Sequence, residues 1–234
     1  MALTLYYHPL SSYCHKVLIA LYEHGVDFER RIIDLGNEAD YAELKALWPP
    51  VKFPVIRDHS RARTVAEASI IIEYLDHYFP GNGRLIPLGW HAALDARLWD
   101  RVFDHHVQGA MQEIVNDHFR EVHRDLFKER KALATAYGML EDRLDGRTWA
   151  AGEEFSMADC AAAPALFYAS TMVPIPEQYV HLEAYFERLM ARPSVARVLD
   201  EAKPYFKMFP FAQAIPPRFR WNALSLFHPT FFET

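Results

Sequence analysis

Cysteine is scarce in this chain: only Cys14 and Cys160 stand among 234 residues. Two thiols exclude a disulfide framework, and a reducing cytosol is the simplest expected home. No run of 18 apolar residues occurs, so no membrane span is expected. The N-terminus lacks a charged leader followed by an apolar stretch, which argues against a signal peptide. Basic charge is not in excess. Lys and Arg number 25 against 31 Asp and Glu, a net charge of −6 with no basic patch, which argues against nucleic acid as a partner. No internal repeat is present. What the chain does have is apolar bulk: 51% hydrophobic and 14% aromatic residues, enough for one large core or two small ones.

Residues 1–81 alternate strand-like and helix-like segments. Leu3 to Tyr7 is a β-prone run, and His8, Pro9 and Leu10 turn the chain. A helix follows from about Ser12 to His24, with apolar spacing at Val17, Leu18, Ala20 and Leu21 and a stop at Gly25. Phe28 to Ile33 reads as a strand, and Ala39 to Leu47 as a helix ended by Trp48, Pro49 and Pro50. Phe53 to Arg57 and Ala62 to Val65 read as strands around a charged turn, and Ala68 to Phe79 as a helix stopped by Pro80 and Gly81. The order βαβαββα makes this an α/β unit.

Residues 82–90 read as a linker, and residues 91–205 as an all-α unit. Its strongest start signal is Phe155-Ser156-Met157-Ala158-Asp159, where Ser156 caps and Asp159 reaches back as in a capping box, with a shorter arm than the usual Glu. Residues 206–234 form a tail rich in proline and aromatics, without helical period. Around it stand Tyr205, Phe206, Phe209, Phe211, Phe219, Trp221, Phe227, Phe231 and Phe232, which fit packing against the helical unit better than a lid.

The chemistry concentrates at the first turn. Ser11, Ser12 and Cys14 sit at a helix N-terminus, where free N–H groups and the dipole favour negative charge. That is a place to hold a thiolate.

Three segments carry a family likeness: Ser11-Ser12-Tyr13-Cys14-His15-Lys16-Val17, Lys52-Phe53-Pro54-Val55-Ile56, and Glu67-Ala68-Ser69-Ile70-Ile71-Ile72-Glu73-Tyr74-Leu75. With the cap at Phe155 to Asp159 they resemble the cytosolic glutathione transferases, in which a thioredoxin-like domain precedes an all-helical one. The likeness covers about residues 1 to 205 and is strongest to the serine- and cysteine-type classes, especially zeta and tau, and to unclassified bacterial relatives. It implies glutathione as co-substrate, no metal, a small apolar electrophile, a homodimer, a cytoplasmic location and a role in detoxification. The implied reaction is conjugation, or isomerisation with glutathione as cofactor.

An ordinary thiol titrates near ~8.5, so the enzyme must lower the thiol pKa of glutathione, and each unit corresponds to roughly 1.4 kcal/mol. By resemblance Ser11 donates to the sulfur; Ser12 and Tyr7 are the rivals, Ser11 also serving as a plain helix cap and Tyr7 as a core aromatic. Pro54 resembles the cis-proline that frees the Phe53 backbone to pair with glutathione, and Lys52 the basic residue that meets the glycyl carboxylate. Glu67 matches the acid that receives the γ-glutamyl ammonium, with the N–H of Ala68 beside it. Where the family has serine, Ala68 stands, and Ser69 is displaced about 100° round the helix. Leu10, Asp104, His105 and Gln108 are candidates for the electrophile pocket. Adjacent His105 and His106 should diverge, one exposed and one packed, without a metal.

Two other functions remain open. Ala68 favours a glutathione-fold binding or scaffold protein with little catalysis. Cys14 suggests a glutathione-dependent thiol–disulfide reductase, but Ser11 stands where a dithiol pair needs its first sulfur, and Cys14 reads better as a small buried residue.

Overall fold

The structure, a computed structural model, describes residues 2–81 and 83–220. The tail aromatics Trp221, Phe227, Phe231 and Phe232 lie outside the described residues.

Strand β1 (Leu3–Tyr7) has two apolar faces. Leu3, Leu5 and Tyr7 enter the main core, while Tyr6 packs on a smaller cluster of Ile33, Leu44 and Val55. A period of two therefore demands cover on both sides. Helices α1 (Ser12–His24) and α3 (Ala68–Tyr78) cover the first face, and α2 (Glu38–Leu47) the second. Strand β2 (Glu29–Ile32) runs parallel to β1, with Thr4 opposite Glu29. Strand β3 (Val55–Asp58) lies antiparallel on the other side of β1, and β4 (Arg63–Ala66) antiparallel to β3. The sheet order is β2-β1-β3-β4, and the chain follows the expected βαβαββα path.

Helix α1 ends where Gly25 takes φ 65° and turns its N–H back to the carbonyls of Leu21 and Tyr22. Gly81 closes against the same corner: a Cβ there would meet the His24 carbonyl oxygen at 1.8 Å.

The helical part is less continuous than its sequence reads. Helix α4 (Trp90–Val102) runs into a π-helical turn, Phe103–Gln108, and then α5 (Gly109–His118). Breaks at 119–126, 145–156 and 173–179 separate α6 (Phe127–Leu144), α7 (Met157–Met172) and α8 (Val180–Ala191), with α9 (Pro193–Ala202) after it. Beyond it come 3₁₀ turns at Lys203–Met208 and Ala212–Ala214 and the short α10 (Pro217–Arg220), each too short to show a period in sequence. Phe206 stacks on Phe167, Phe209 meets Tyr168, and Phe219 meets Phe167 edge-on, so this stretch packs on α7.

Helix α7 is the buried centre of the helical part. Ser156 Oγ accepts the Ala158 N–H at 3.3 Å, and Asp159 accepts the Ser156 N–H at 2.8 Å. The shorter Asp side chain also takes the Ala150 N–H at 3.0 Å and the Tyr185 hydroxyl at 2.6 Å, so the capping box doubles as a clamp on α8. Helix α1 packs between α3, α7 and α9. Its N-terminus thus opens at the seam between sheet and helices.

Candidate active site

The turn before α1 is fixed link by link. The Ser11 N–H donates to the His8 carbonyl at 3.0 Å, and the Leu10 N–H donates to His8 Nδ1 at 3.2 Å. His15, fully buried, reaches back so that Nε2 donates to the Pro9 carbonyl at 2.6 Å. That acceptor requires the proton on Nε2. Ser11 has extended backbone, φ −76° and ψ 118°, and its Oγ accepts the Cys14 N–H at 3.3 Å. Its hydroxyl proton remains available to an incoming acceptor. The N–H groups of Ser12 and Tyr13 find no acceptor among the described residues. An anion near Ser11 therefore meets one hydroxyl donor, unpaired amides and the positive end of α1.

Two cavities flank this point. A polar one of about 550 Å³ is lined by Lys52, Phe53, Pro54, Glu67, Ala68, Ser69, Arg97, Asp100, Arg101, Asp104 and His105 among others. An apolar groove of about 520 Å³ is lined by His8, Leu10, Ser11, Ser12, Met111, Val115, Phe119, Tyr168, Met208 and Phe209 among others. Tyr13 and Phe53 line both, so the cavities adjoin beside Ser11. Burial pushes the Tyr13 phenol up to about 12, and it stays protonated at neutral pH. Apart from its place in the first motif, no residue pattern singles out Tyr13.

The polar cavity has the groups to hold an amino-acid-like anion. Phe53 and Pro54 are joined by a cis bond, and neither polar backbone group of Phe53 enters a turn, loop or cap hydrogen bond among the described residues. Glu67 takes φ 68°, the left-handed region that costs a non-glycine residue roughly 1–3 kcal/mol. Helix α3 begins there with no side-chain cap, and the N–H groups of Ala68, Ser69 and Ile70 are unpaired among the described residues. Lys52 is exposed at the rim.

Below the cavity lies a charged cluster that the sequence reading missed. Lys16 is only 1% exposed, and its Nζ sits 2.5 Å from Asp100 Oδ1, 2.8 Å from Asp104 Oδ2 and 2.8 Å from Ser69 Oγ. Ser69 in turn donates to Asp100 Oδ2 at 2.8 Å. The Arg101 guanidinium closes the cluster on Asp100 at 2.6 Å and Asp104 at 2.5 Å. Burial raises the Asp104 pKa and Lys16 opposes the rise. One sequence signal was available: Lys16 falls among the core positions of α1, where a lone charge needs a partner.

Several expected site residues stand elsewhere. Asp104 and His105 line the polar cavity with Lys52 and Glu67, not the apolar groove. Gln108 is 2% exposed, borders neither cavity, and both its amide atoms lack a partner. Of the four candidates for the electrophile pocket, only Leu10 lines the groove. The other three all belong to the π-helical turn over Phe103–Gln108, where side chains leave the 3.6-residue spacing. His105 and His106 are both exposed, where one was expected to pack. Tyr7 is buried in the main core and lines neither cavity. Ser69 lines the polar cavity, but its hydroxyl is engaged by Lys16 and Asp100. Cys14 is fully buried and burial pushes its thiol up to about 12, so it holds no thiolate at neutral pH. No cluster of three or more His, Cys, Asp or Glu able to hold a metal occurs among the described residues.

Two family models match the chain. The glutathione S-transferase N-terminal domain covers residues 5–83 and the glutathione S-transferase C-terminal domain residues 102–193. The "Glutathione S-transferase-like protein LUC7" of a Fusarium species is 30% identical over 159 residues, 66% of this chain and 71% of that protein. The chain belongs to the glutathione transferase family. Its likeness extends to the "Probable glutathione S-transferase" of Glycine max, 28% identical over 208 residues that cover 85% of this chain and 88% of the relative. A glutathione S-transferase of Methylobacterium radiotolerans, solved in complex with glutathione sulfonate, superposes with a TM-score of 0.73 at 26% identity, covering 84% of this chain and 93% of that one. The family likeness read from the three motifs holds, as does the thioredoxin-like fold followed by helices.

Proposed function

We propose that this chain is a glutathione transferase that activates the glutathione thiol at Ser11 for attack on a small hydrophobic electrophile. The observation that carries the reading is the position of Ser11: a hydroxyl with a free proton, at an open helix N-terminus, beside the junction of a charged cavity and an apolar groove. The tripeptide occupies the polar cavity. Lys52 takes the glycyl carboxylate, the Phe53 backbone pairs with the cysteinyl residue, and Glu67 receives the ammonium group. The unpaired amides of Ala68 and Ser69 suit the γ-glutamyl carboxylate.

The Ser11 hydroxyl keeps its proton and donates a hydrogen bond to the sulfur, which stabilises the thiolate. The thiol proton leaves to solvent. In a substitution, the sulfur forms a bond to the electrophilic carbon and the leaving group departs with its electron pair. Ser12 stays the rival donor, since it lines the same groove.

The protein works as a homodimer in the cytoplasm on this reading. Both cysteines are free and buried, which suits a reducing compartment. Trp90, Leu94 and Leu98 fall four residues apart on α4 and are 71%, 50% and 54% exposed, an apolar stripe that a second copy would cover.

Calorimetry with glutathione, followed by a conjugation assay with a generic aryl halide, tests the activity. Saturable binding with turnover supports it. Binding without turnover favours a scaffold role, and no binding removes the reading altogether.

A further inference from the structure

The two cavities differ in charge. Lys52, Arg97 and Arg101 line the polar one, whereas among the described residues no Lys or Arg lines the apolar groove. Among the described residues the groove's single acid is Asp34, exposed in the loop after β2. That loop is held in place: Asp34 Oδ1 accepts the Gly36 N–H at 2.9 Å, its N–H donates to Asp40 Oδ2 at 2.8 Å, and its carbonyl accepts the Asn37 N–H at 3.0 Å. Of the other titratable groups lining the groove, His8 is driven toward its neutral form by burial, and burial raises the Tyr13 and Tyr168 phenols so that both stay protonated. The remaining walls offer aromatic faces from Phe53, Phe119, Tyr168 and Phe209 and the sulfurs of Met111 and Met208, surfaces that favour flat, polarisable partners.

We infer that Asp34 is a specificity-determining residue of the groove that disfavours carboxylated electrophiles. The inference rests on the transferase reading above and adds the charge class of its second substrate. Physically, a carboxylated electrophile entering the groove meets the Asp34 carboxylate and the activated thiolate, with no Lys or Arg among the described lining residues to offset either; Asp34 is exposed, so salt screens its share of the repulsion.

The test uses two aryl chlorides that undergo the same reaction, 1-chloro-2,4-dinitrobenzene and 4-chloro-3,5-dinitrobenzoate. In both, a carbon–sulfur bond forms and chloride leaves with the bonding pair. Each kcat/KM is divided by the uncatalysed rate constant with glutathione. The expected preference for the neutral compound is at least about tenfold; Asp34→Asn reduces it to about threefold, Asp34→Lys brings it to unity or reverses it, and added salt narrows it in the unaltered protein. A preference under twofold overturns the inference, as does one that neither substitution nor salt changes. Should either variant fail to fold, the salt titration of the unaltered protein decides. Turnover of both chlorides without discrimination sinks this inference alone. Absence of glutathione binding and of turnover sinks the transferase reading, and the inference with it.

Discussion

The ammonium of Lys16 lies 2.8 Å from the carboxylate of Asp104, and both residues are buried. One belongs to the first helix after the sheet's leading strand, the other to the π-helical turn of the helical part. The pair, with Asp100 and Ser69, pins the helix that carries Ser11 against the wall of the polar cavity. Removing one partner of a buried ion cluster leaves uncompensated charge, which costs about 3–5 kcal/mol. Lys16→Met should therefore lower the unfolding free energy by about that amount, read as a reduced urea midpoint.

His15 gives an acid limit to stability. Burial pushes its imidazole down to about 4, against an ordinary value near 6.5. The unfolded chain binds this proton first, so stability is full above pH ~6.5 and declines as pH falls toward ~4, by about 2–3 kcal/mol at pH ~4.5. His15→Gln, which has an amide donor for the Pro9 carbonyl but no titrating ring, should remove that share of the acid loss. Urea unfolding of both proteins at neutral and acid pH measures it. The buried Asp58, whose pKa is held down by the Ser60 and Tyr74 hydroxyls and by Arg61, loses stability in the same direction, so the difference between the two proteins is the quantity to read.

Asp159 is the acceptor for the Ser156 and Ala150 amides and the Tyr185 hydroxyl. Asp159→Ala strands these donors in the core and frays the start of α7. A loss of about 3 kcal/mol or more is expected in chemical unfolding. Asp159→Asn, which keeps one acceptor oxygen, should lose less.

The apolar stripe on α4 carries the proposed assembly. Leu94→Arg together with Leu98→Arg should convert a dimer to a monomer in sedimentation velocity without a comparable loss of helical circular dichroism, because both side chains are exposed within one chain.

Much of this arrangement was legible in the residues, for physical reasons that differ by element. The strand-turn-helix from Leu3 to Gly25 was readable because period, turn chemistry and a left-handed glycine stop agree. The α7 cap was readable because its signal is confined to Ser156 and Asp159. The charged cluster was not, since Lys16, Ser69, Asp100 and Asp104 come from distant segments and meet only after sheet and helices pack. Nor was the π-helical turn over Phe103–Gln108, since no residue in it announces a hydrogen bond that reaches one position further along the helix.

The most direct test is the titration of glutathione bound to the protein, followed by the ultraviolet absorbance of its thiolate. Bound to the unaltered chain, the thiol should ionise well below the ~8.5 of an ordinary thiol, and Ser11→Ala should raise that midpoint by about one unit or more, roughly 1.4 kcal/mol. An unchanged midpoint in Ser11→Ala, with a rise in Ser12→Ala instead, would contradict the role given to Ser11.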